Sequence, residues 1–151
     1  MLMQRILSAT VLTAVVAAHA VAATPEEKTS SDGIRYLSGG VGQAEVAAMR
    51  EAAPDYDLGL VFATREGNYL ANVRVTVSDR RGREILTTVT DGPMVLVDLP
   101  PGSYRVEASA NGRTVTRDVS VPRAGHRQAI LRLPAAQESP AASPGFAAGK
   151  S

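Results

Sequence analysis

The chain has 151 residues, 44% of them hydrophobic and 21% charged, which allows one core-forming domain with short additional segments and excludes a wholly disordered chain. Because 16 basic residues face 15 acidic ones, the chain has no basic excess to displace counterions from a polyanion, and nucleic acid is not an expected partner. The absence of cysteine excludes disulfides, thiolate zinc sites and cysteine nucleophiles.

Residues 1–23 carry the pattern of a secretory signal peptide. Arg5 precedes an apolar stretch from Ile6 to Ala18, and small residues suited to a signal peptidase follow it up to Ala23. Small-x-small motifs allow cleavage before Ala23 or Thr24, and we predict Thr24 as the mature start. An uncleaved membrane anchor is the alternative, but the stretch is short and no basic cluster follows it. We therefore expect a periplasmic or secreted protein that does not span a membrane after signal removal.

Two segments of the mature chain show no apolar periodicity. Residues 24–33 read TPEEKTSSDG and predict a flexible linker, and residues 134–151 are rich in Ala, Pro, Ser and Gly and predict a disordered tail. Such compositions do not bury enough apolar surface to order the chain by themselves.

Residues 34–54 predict a helical N-terminal segment. Val46, Met49, Ala52 and Ala53 recur at helical spacing, which indicates an amphipathic helix from Gln43 to Ala53 that ends at Pro54. We expect Val46 and Met49 to dock this helix on the rest of the domain. The glycines before it do not follow the G-x-G-x-x-G pattern, and no cofactor is predicted.

From Asp55 to Leu133 the hydrophobic period changes to two, which is typical of half-buried strands. Turn residues such as Asn111-Gly112 separate the strands and no helix intervenes, so the pattern favours an antiparallel β-sandwich over a parallel sheet. Seven strands are predicted: two centred on Leu60 and Val75, then Glu84 to Thr90, Met94 to Leu99, Ser103 to Ala108, Thr114 to Val121 and His126 to Leu133.

Three motifs between Leu70 and Val121 belong together: Ala71-Asn72-Val73 at the entry of a strand, a turn with Asp79 and Gly82, and the corner Leu99-Pro100-Pro101-Gly102-Ser103-Tyr104. This stretch resembles the carboxypeptidase regulatory-like domain, a transthyretin-like or prealbumin-like fold. The resemblance implies a mainly β, seven-stranded antiparallel Greek-key sandwich over residues 55–133. Tyr104 is expected to point inward with Val106.

The residues give no catalytic constellation, and we predict that the protein is not an enzyme. The transthyretin-like fold has an enzymatic branch, the 5-hydroxyisourate hydrolases, and resemblance to that branch would imply an active site with several histidines. The predicted mature chain holds only one histidine, His126. A hydrolase using His126 as a lone base is the least favoured hypothesis, because no G-x-S-x-G motif accompanies it. We expect His126 to begin the last strand at the surface.

No metal site is predicted, because the candidate ligands follow no recognised spacing. The aspartates Asp55, Asp57, Asp79, Asp91 and Asp98 are scattered and match neither an EF-hand nor an H-E-x-x-H motif. Loop aspartates that gather on one rim to hold calcium are the alternative to ordinary turn chemistry.

The leading hypothesis is an exported, non-enzymatic binding or accessory module that makes protein–protein contact through a sheet edge. Side chains such as Arg117 and Asp118 are also able to block that edge. The alternative is a carbohydrate-binding module that uses a loop aromatic and a cationic cluster, although a solvated turn also explains the cluster. Its candidate binding residues are Tyr69, Arg74, Arg80, Arg81 and Arg83.

Overall fold

The computed structural model describes residues 24–135. The predicted signal peptide and residues 136–151 of the predicted tail lie outside the described residues. Residues 24–135 are mainly β, with two sheets and one short helix.

The described strands are β1 (Glu27–Thr29), β2 (Arg35–Gly39), β3 (Leu58–Thr64), β4 (Arg74–Ser78), β5 (Glu84–Val89), β6 (Met94–Val97), β7 (Gly102–Ala110), β8 (Arg113–Val121) and β9 (Arg127–Leu133). Helix α1 (Gly42–Ala52) lies between β2 and β3 and continues into a 3-10 turn at Ala53–Asp55. The first sheet has the order β1-β2-β6-β3-β9, and the second sheet has the order β5-β4-β7-β8.

The described residues form nine strands, not the seven that were predicted. The additional strands are β1, within the run predicted as a flexible linker, and β2, at the start of the segment predicted as helical. β1 is a three-residue polar strand paired with β2. In β2, four of the five residues are buried, because Tyr36 faces the core between the sheets and Leu37 lies in the contact with α1. A strand covered on both faces has no period of two, so its sequence pattern is not that of a half-buried strand.

The predicted antiparallel arrangement is wrong at one pair of strands. β3 and β9 pair in parallel, from Leu58 opposite Arg127 to Thr64 opposite Leu133. The chain reaches β9 from β8, which belongs to the other sheet, so no tight hairpin fixes the direction of β9. Alternation in sequence reports which face a side chain takes and carries no information on strand direction.

The main core lies between the two sheets and contains alternate side chains of both. Leu58, Leu60 and Phe62 of β3 pack in the same cluster as Val75 and Val77 of β4. Each such side chain contributes about 1.5–3 kcal/mol when fully buried. The predicted half-buried alternation is confirmed for β4, whereas in β3 six of the seven residues are buried, so the outward side chains of that strand are covered as well.

Helix α1 docks on the outer face of the first sheet. Met49 is fully buried, in a small cluster with Leu37, Tyr56 and Leu96. The backbone N–H of Val41 donates to Glu45 Oε2 at 2.7 Å and so satisfies one free amide at the start of the helix. The predicted docking is confirmed for Met49, whereas Val46 is only half-buried.

The proline-glycine-tyrosine corner takes the predicted form. Tyr104 is buried and packs in the main core with Val106. Its hydroxyl donates to the Pro100 carbonyl at 2.6 Å, and burial raises the pKa of the phenol. The corner is thereby tied to the strand that leaves it.

Candidate functional site

Helix α1 covers only part of the outer face of the first sheet, and the uncovered part forms a groove of about 490 Å³. Its floor consists of Gly59, Val61 and Ala63, the β3 residues that alternate with the core side chains. One wall comes from Val46, Arg50 and Ala53 on the helix side. The other wall comes from Gln128, Ile130 and Arg132 of β9.

The strand register fixes the rows of side chains that cross the groove. Gly59 lies opposite Gln128 and Leu96, Val61 lies opposite Ile130 and Met94, and Ala63 lies opposite Arg132. Tyr69 joins the last row through a bridge to Ala63. The floor from Gly59 to Ala63 is about 13 Å long at roughly 3.3 Å per residue. Because Gly59 and Ala63 are small, this strip of the sheet is recessed between the longer side chains beside it.

His126 covers one end of the groove floor. Its Nδ1 lies 2.8 Å from the Tyr56 carbonyl oxygen, which only accepts, so Nδ1 carries the proton and donates. A Cβ atom on Gly59 would come within 2.7 Å of His126 Nε2, so the ring lies directly over this glycine. The side chain is exposed just before β9, as the prediction of a surface position required.

The charged side chains that line the groove are cationic. Arg50 on the helix wall and Arg132 on the β9 wall are both exposed, and neither has an ion pair or hydrogen bond within residues 24–135. Among the described residues of the lining there is no Asp or Glu. The groove therefore combines an apolar floor with two unpaired guanidinium groups.

The structure does not bring the five predicted binding residues together. Tyr69, 72% exposed, stands at the groove. Arg80, Arg81 and Arg83 line a second hollow of about 370 Å³ beside Tyr104. Arg74 begins β4 and points to the outer face of the second sheet, because its neighbour Val75 points into the core.

Among the described residues, Asp79 is the single acidic one that lines this second hollow, and its hydrogen bonds are those of a turn. Asp79 Oδ1 accepts the backbone N–H groups of Arg81 at 2.8 Å and Arg83 at 3.0 Å. The Arg83 side chain adds an ion pair at 3.4 Å. Hydrogen bonding from the Arg83 backbone, followed by that from Arg81, lowers the pKa of Asp79. The aspartate thus holds the turn that presents the arginines.

A second polar cluster joins β2 and β6 to the segment before β3. Arg35 donates to Asp98 Oδ2 through Nη2 at 2.6 Å, and the Leu99 N–H donates to Asp57 Oδ2 at 3.1 Å. Burial and a hydrogen bond to Asp98 raise the pKa of Asp57, while hydrogen bonds from Arg35 and Asp57 lower that of Asp98. The nearby Tyr56 phenol donates to Glu27 at 2.6 Å, and burial followed by this bond raises its pKa to about 12.

The carboxyl pair predicts opposite pH dependences for two substitutions. The folded-state pKa of Asp57 is raised, so its stabilising contribution is present at low pH and is lost as pH rises through that pKa. The pKa of Asp98 is lowered, so its contribution is present at neutral pH and is lost on acidification. Asp57→Asn keeps an acceptor for the Leu99 amide, and we expect its stability relative to the wild type to improve between about pH 4 and about pH 7.

Urea unfolding at about pH 3, about pH 4 and about pH 7 measures this effect. Asp98→Asn is the matched control, and we expect it to lose more stability at about pH 7 than at about pH 3, because it removes the carboxylate that pairs with Arg35. A stability difference for Asp57→Asn that does not change with pH would contradict the prediction.

Several groove residues were not identified from the sequence: Arg50, Gln128, Ile130 and Arg132. One available signal was Ile130, an apolar residue at an outward position of β9. The small outward residues of β3, Gly59 and Ala63, were the other. Both are typical of a sheet whose outer face is in contact with something.

The chain matches no protein-family model and no curated protein. Within residues 24–135, no helix is both long and apolar enough to cross a bilayer.

Proposed function

We propose that the protein is an exported, non-enzymatic binding or accessory module, and that it contacts a partner protein in the periplasm or outside the cell through the groove on its first sheet. We further propose that residues 55–133 form a transthyretin-like Greek-key sandwich related to carboxypeptidase regulatory-like domains. The crossings between sheets at β3–β4, β5–β6, β6–β7 and β8–β9 support this topology, as does the Tyr104 corner.

The observation that carries the proposal is the groove itself. It is concave, its floor is apolar, and a few polar groups stand at its rim, which is the usual composition of a binding site. The 42% exposed side chain of Ile130 stands on one wall and adds apolar surface that solvent reaches. Apolar surface framed by polar residues marks interaction sites more often than isolated exposed hydrophobic residues do.

The two edges of the first sheet support strand addition less well than the groove supports docking. Arg117 Nη1 donates to the Ile130 carbonyl at 2.8 Å and so occupies part of the β9 edge. At the other edge of the same sheet, β1 is three residues long. A short or occupied edge offers few backbone groups to an incoming strand.

Carbohydrate binding is the alternative, and the exposed ring of Tyr69 at the groove favours it. Sugars are commonly held by aromatic faces together with hydrogen-bonding side chains. The arginines that the sequence suggested for sugar binding do not line the groove. A sugar in the groove would therefore depend on Tyr69 with Gln128 and the two groove arginines.

The test uses two exposed aliphatic residues of similar accessibility. Ile130 is 42% exposed in the groove, and Val89 is 45% exposed on β5, outside the groove lining. Purified protein is used to select peptides from a displayed random library, and binding of the selected peptides is then measured for Ile130→Glu and Val89→Glu. We expect Ile130→Glu to weaken binding at least about tenfold, because the carboxylate is placed in the apolar contact.

Val89→Glu controls for the added charge and should bind the peptides as the wild type does. Equal loss in both variants, or no peptide enriched by the wild type, would refute protein contact through the groove. A glycan array probed in parallel tests the alternative, for which specific sugar binding that is lost in Tyr69→Ala would be decisive.

A further inference from the structure

We propose that the occupant of the groove is an extended segment of a partner protein that presents one carboxylate to Arg50, another to Arg132, and apolar side chains to the floor between them. This inference rests on the proposed function and adds the chemistry of the partner.

The charge of the groove favours an anionic partner. Arg50 and Arg132 come from opposite walls, neither has an ion pair or hydrogen bond among residues 24–135, and no described Asp or Glu shares the lining. A groove with unneutralised cations on both sides attracts an anionic partner and disfavours a basic one. Arginine suits a carboxylate especially well, because its planar fork donates two parallel hydrogen bonds to the two oxygens.

Four described cations, Lys28, Arg35, Arg83 and Arg105, have acidic partners on this chain at 2.6–3.4 Å, whereas other exposed arginines such as Arg74 have none in the described part of the chain. Arg50 and Arg132 differ from these other unpaired arginines because they line one apolar groove from opposite walls. Arg50 lies in the last turn of α1, where the helix dipole also favours a cation. The helix dipole gives no reason for Arg132, which stands on a strand and faces the same groove.

The length of the floor suits a short extended segment. Gly59 to Ala63 spans about 13 Å, which corresponds to roughly four residues of extended peptide. His126 covers the floor at Gly59, so the groove continues over Val61 and Ala63, which are 8% and 4% exposed, towards Tyr69. In an extended segment, side chains two residues apart point to the same side, as Val61 and Ala63 do on β3. Two such side chains of a bound segment therefore have the same spacing as these two rows of the floor.

The polar groups favour a peptide over an alkyl chain. They occur along the whole groove: His126 and Gln128 at one end, Arg50 on the helix wall, and Arg132 with Tyr69 at the other end. A peptide backbone has carbonyl and amide groups at every residue to pair with such side chains. An alkyl carboxylate has one polar end and would use only one of these positions.

The test examines whether the charge of the groove sets the charge of the selected peptides. The same random peptide library is selected on the wild type, on the double variant Arg50→Glu/Arg132→Glu, and on Arg74→Glu. Arg74 is a matched control, because it is an exposed arginine on the outer face of the other sheet. Unfolding curves confirm that each variant is folded before selection.

We expect the wild type and Arg74→Glu to enrich peptides that combine Asp or Glu with apolar residues. The double variant should reject those peptides and enrich peptides with Lys or Arg. For one synthetic peptide from the wild-type selection, each single substitution to Glu should weaken binding at least about tenfold, and the loss should shrink in high salt. If the double variant does not fold, Arg50→Gln/Arg132→Gln replaces it and should abolish the acidic preference.

Three outcomes overturn the inference and are distinct from failure of the proposed function. Peptides that need Ile130 but show no acidic enrichment would leave the groove as a contact surface and reject the carboxylate. An acidic preference that Arg74→Glu abolishes and the groove variants retain would place the anion on the second sheet. If dodecanoate competes with every selected peptide and its binding needs only one of the two arginines, the groove takes an alkyl chain and the inference is wrong. When no peptide is enriched by the wild type, the proposed function itself fails.

Discussion

Gly92→Ala is expected to cost about 3 kcal/mol of unfolding free energy, although it adds only one methyl group. Gly92 is buried two residues before β6 begins, and a Cβ atom there would lie 2.3 Å from the Gly39 carbonyl oxygen and 2.6 Å from the Gly39 carbonyl carbon. Both are backbone atoms at the end of β2, where Gly39 pairs with Met94. The clash therefore moves a strand, because no side chain is able to rotate away from it.

Gly59→Ala is the matched control for this prediction. Its Cβ would also approach a neighbour closely, but the nearest atoms, at 2.7 Å and 2.8 Å, belong to the His126 ring. A side chain that starts at the surface is able to rotate, so we expect a smaller loss of stability than for Gly92→Ala. Urea unfolding of both variants measures the difference, and a Gly92→Ala protein as stable as Gly59→Ala would contradict the backbone argument.

The two glycines also differ in their effect on the groove. In Gly59→Ala the floor rises and His126 leaves its place, so the binding surface changes while the strands stay paired. In Gly92→Ala the displaced segment is the one that leads through Gly40 into α1, so the wall of the groove moves with the loss of stability. We therefore expect Gly59→Ala to change binding with little loss of stability, and Gly92→Ala to lose both stability and binding.

The strands that face the core on one side only were predictable from the sequence. The alternation of Val75 and Val77 with Arg74 and Thr76 identifies β4, and the turn residues give its limits. Strand β2 was not predicted, because both of its faces are covered and its sequence does not alternate between apolar and polar residues. The parallel direction of β9 is a property of its connection from the other sheet, which periodicity does not encode.

The candidate site was less predictable, because its residues are far apart in sequence. Arg50 and Arg132 meet across one groove only through the docking of α1 on the sheet. Arg80, Arg81 and Arg83 attract attention as a sequence cluster, yet they follow a turn that Asp79 holds. The sequence therefore suggested the turn arginines as a binding site because they are close together in the chain. The groove instead combines residues of α1, β3 and the edge strand β9, which are far apart in sequence.

Met49→Asp is expected to release helix α1 from the sheet and to abolish binding in the groove. Met49 is fully buried among Leu37, Tyr56 and Leu96. Its burial contributes about 1.5–3 kcal/mol, whereas an ionised carboxylate left unpaired at the same place costs considerably more. Undocking the helix is therefore the less costly state. The strands should stay paired, because the main core lies on the other face of the sheet.

Trypsin cleavage after Arg50 reports the state of the helix directly, since a docked helix protects its backbone and an undocked one does not. Ala47→Asp is the matched control, because it places the same charge on an exposed position of α1 and should leave cleavage at the wild-type rate. We expect cleavage of Met49→Asp at Arg50 to accelerate and binding of the selected peptides to disappear, because Val46 and Arg50 no longer form a wall. Slow cleavage in Met49→Asp with intact binding would mean that the helix neither depends on Met49 nor completes the groove.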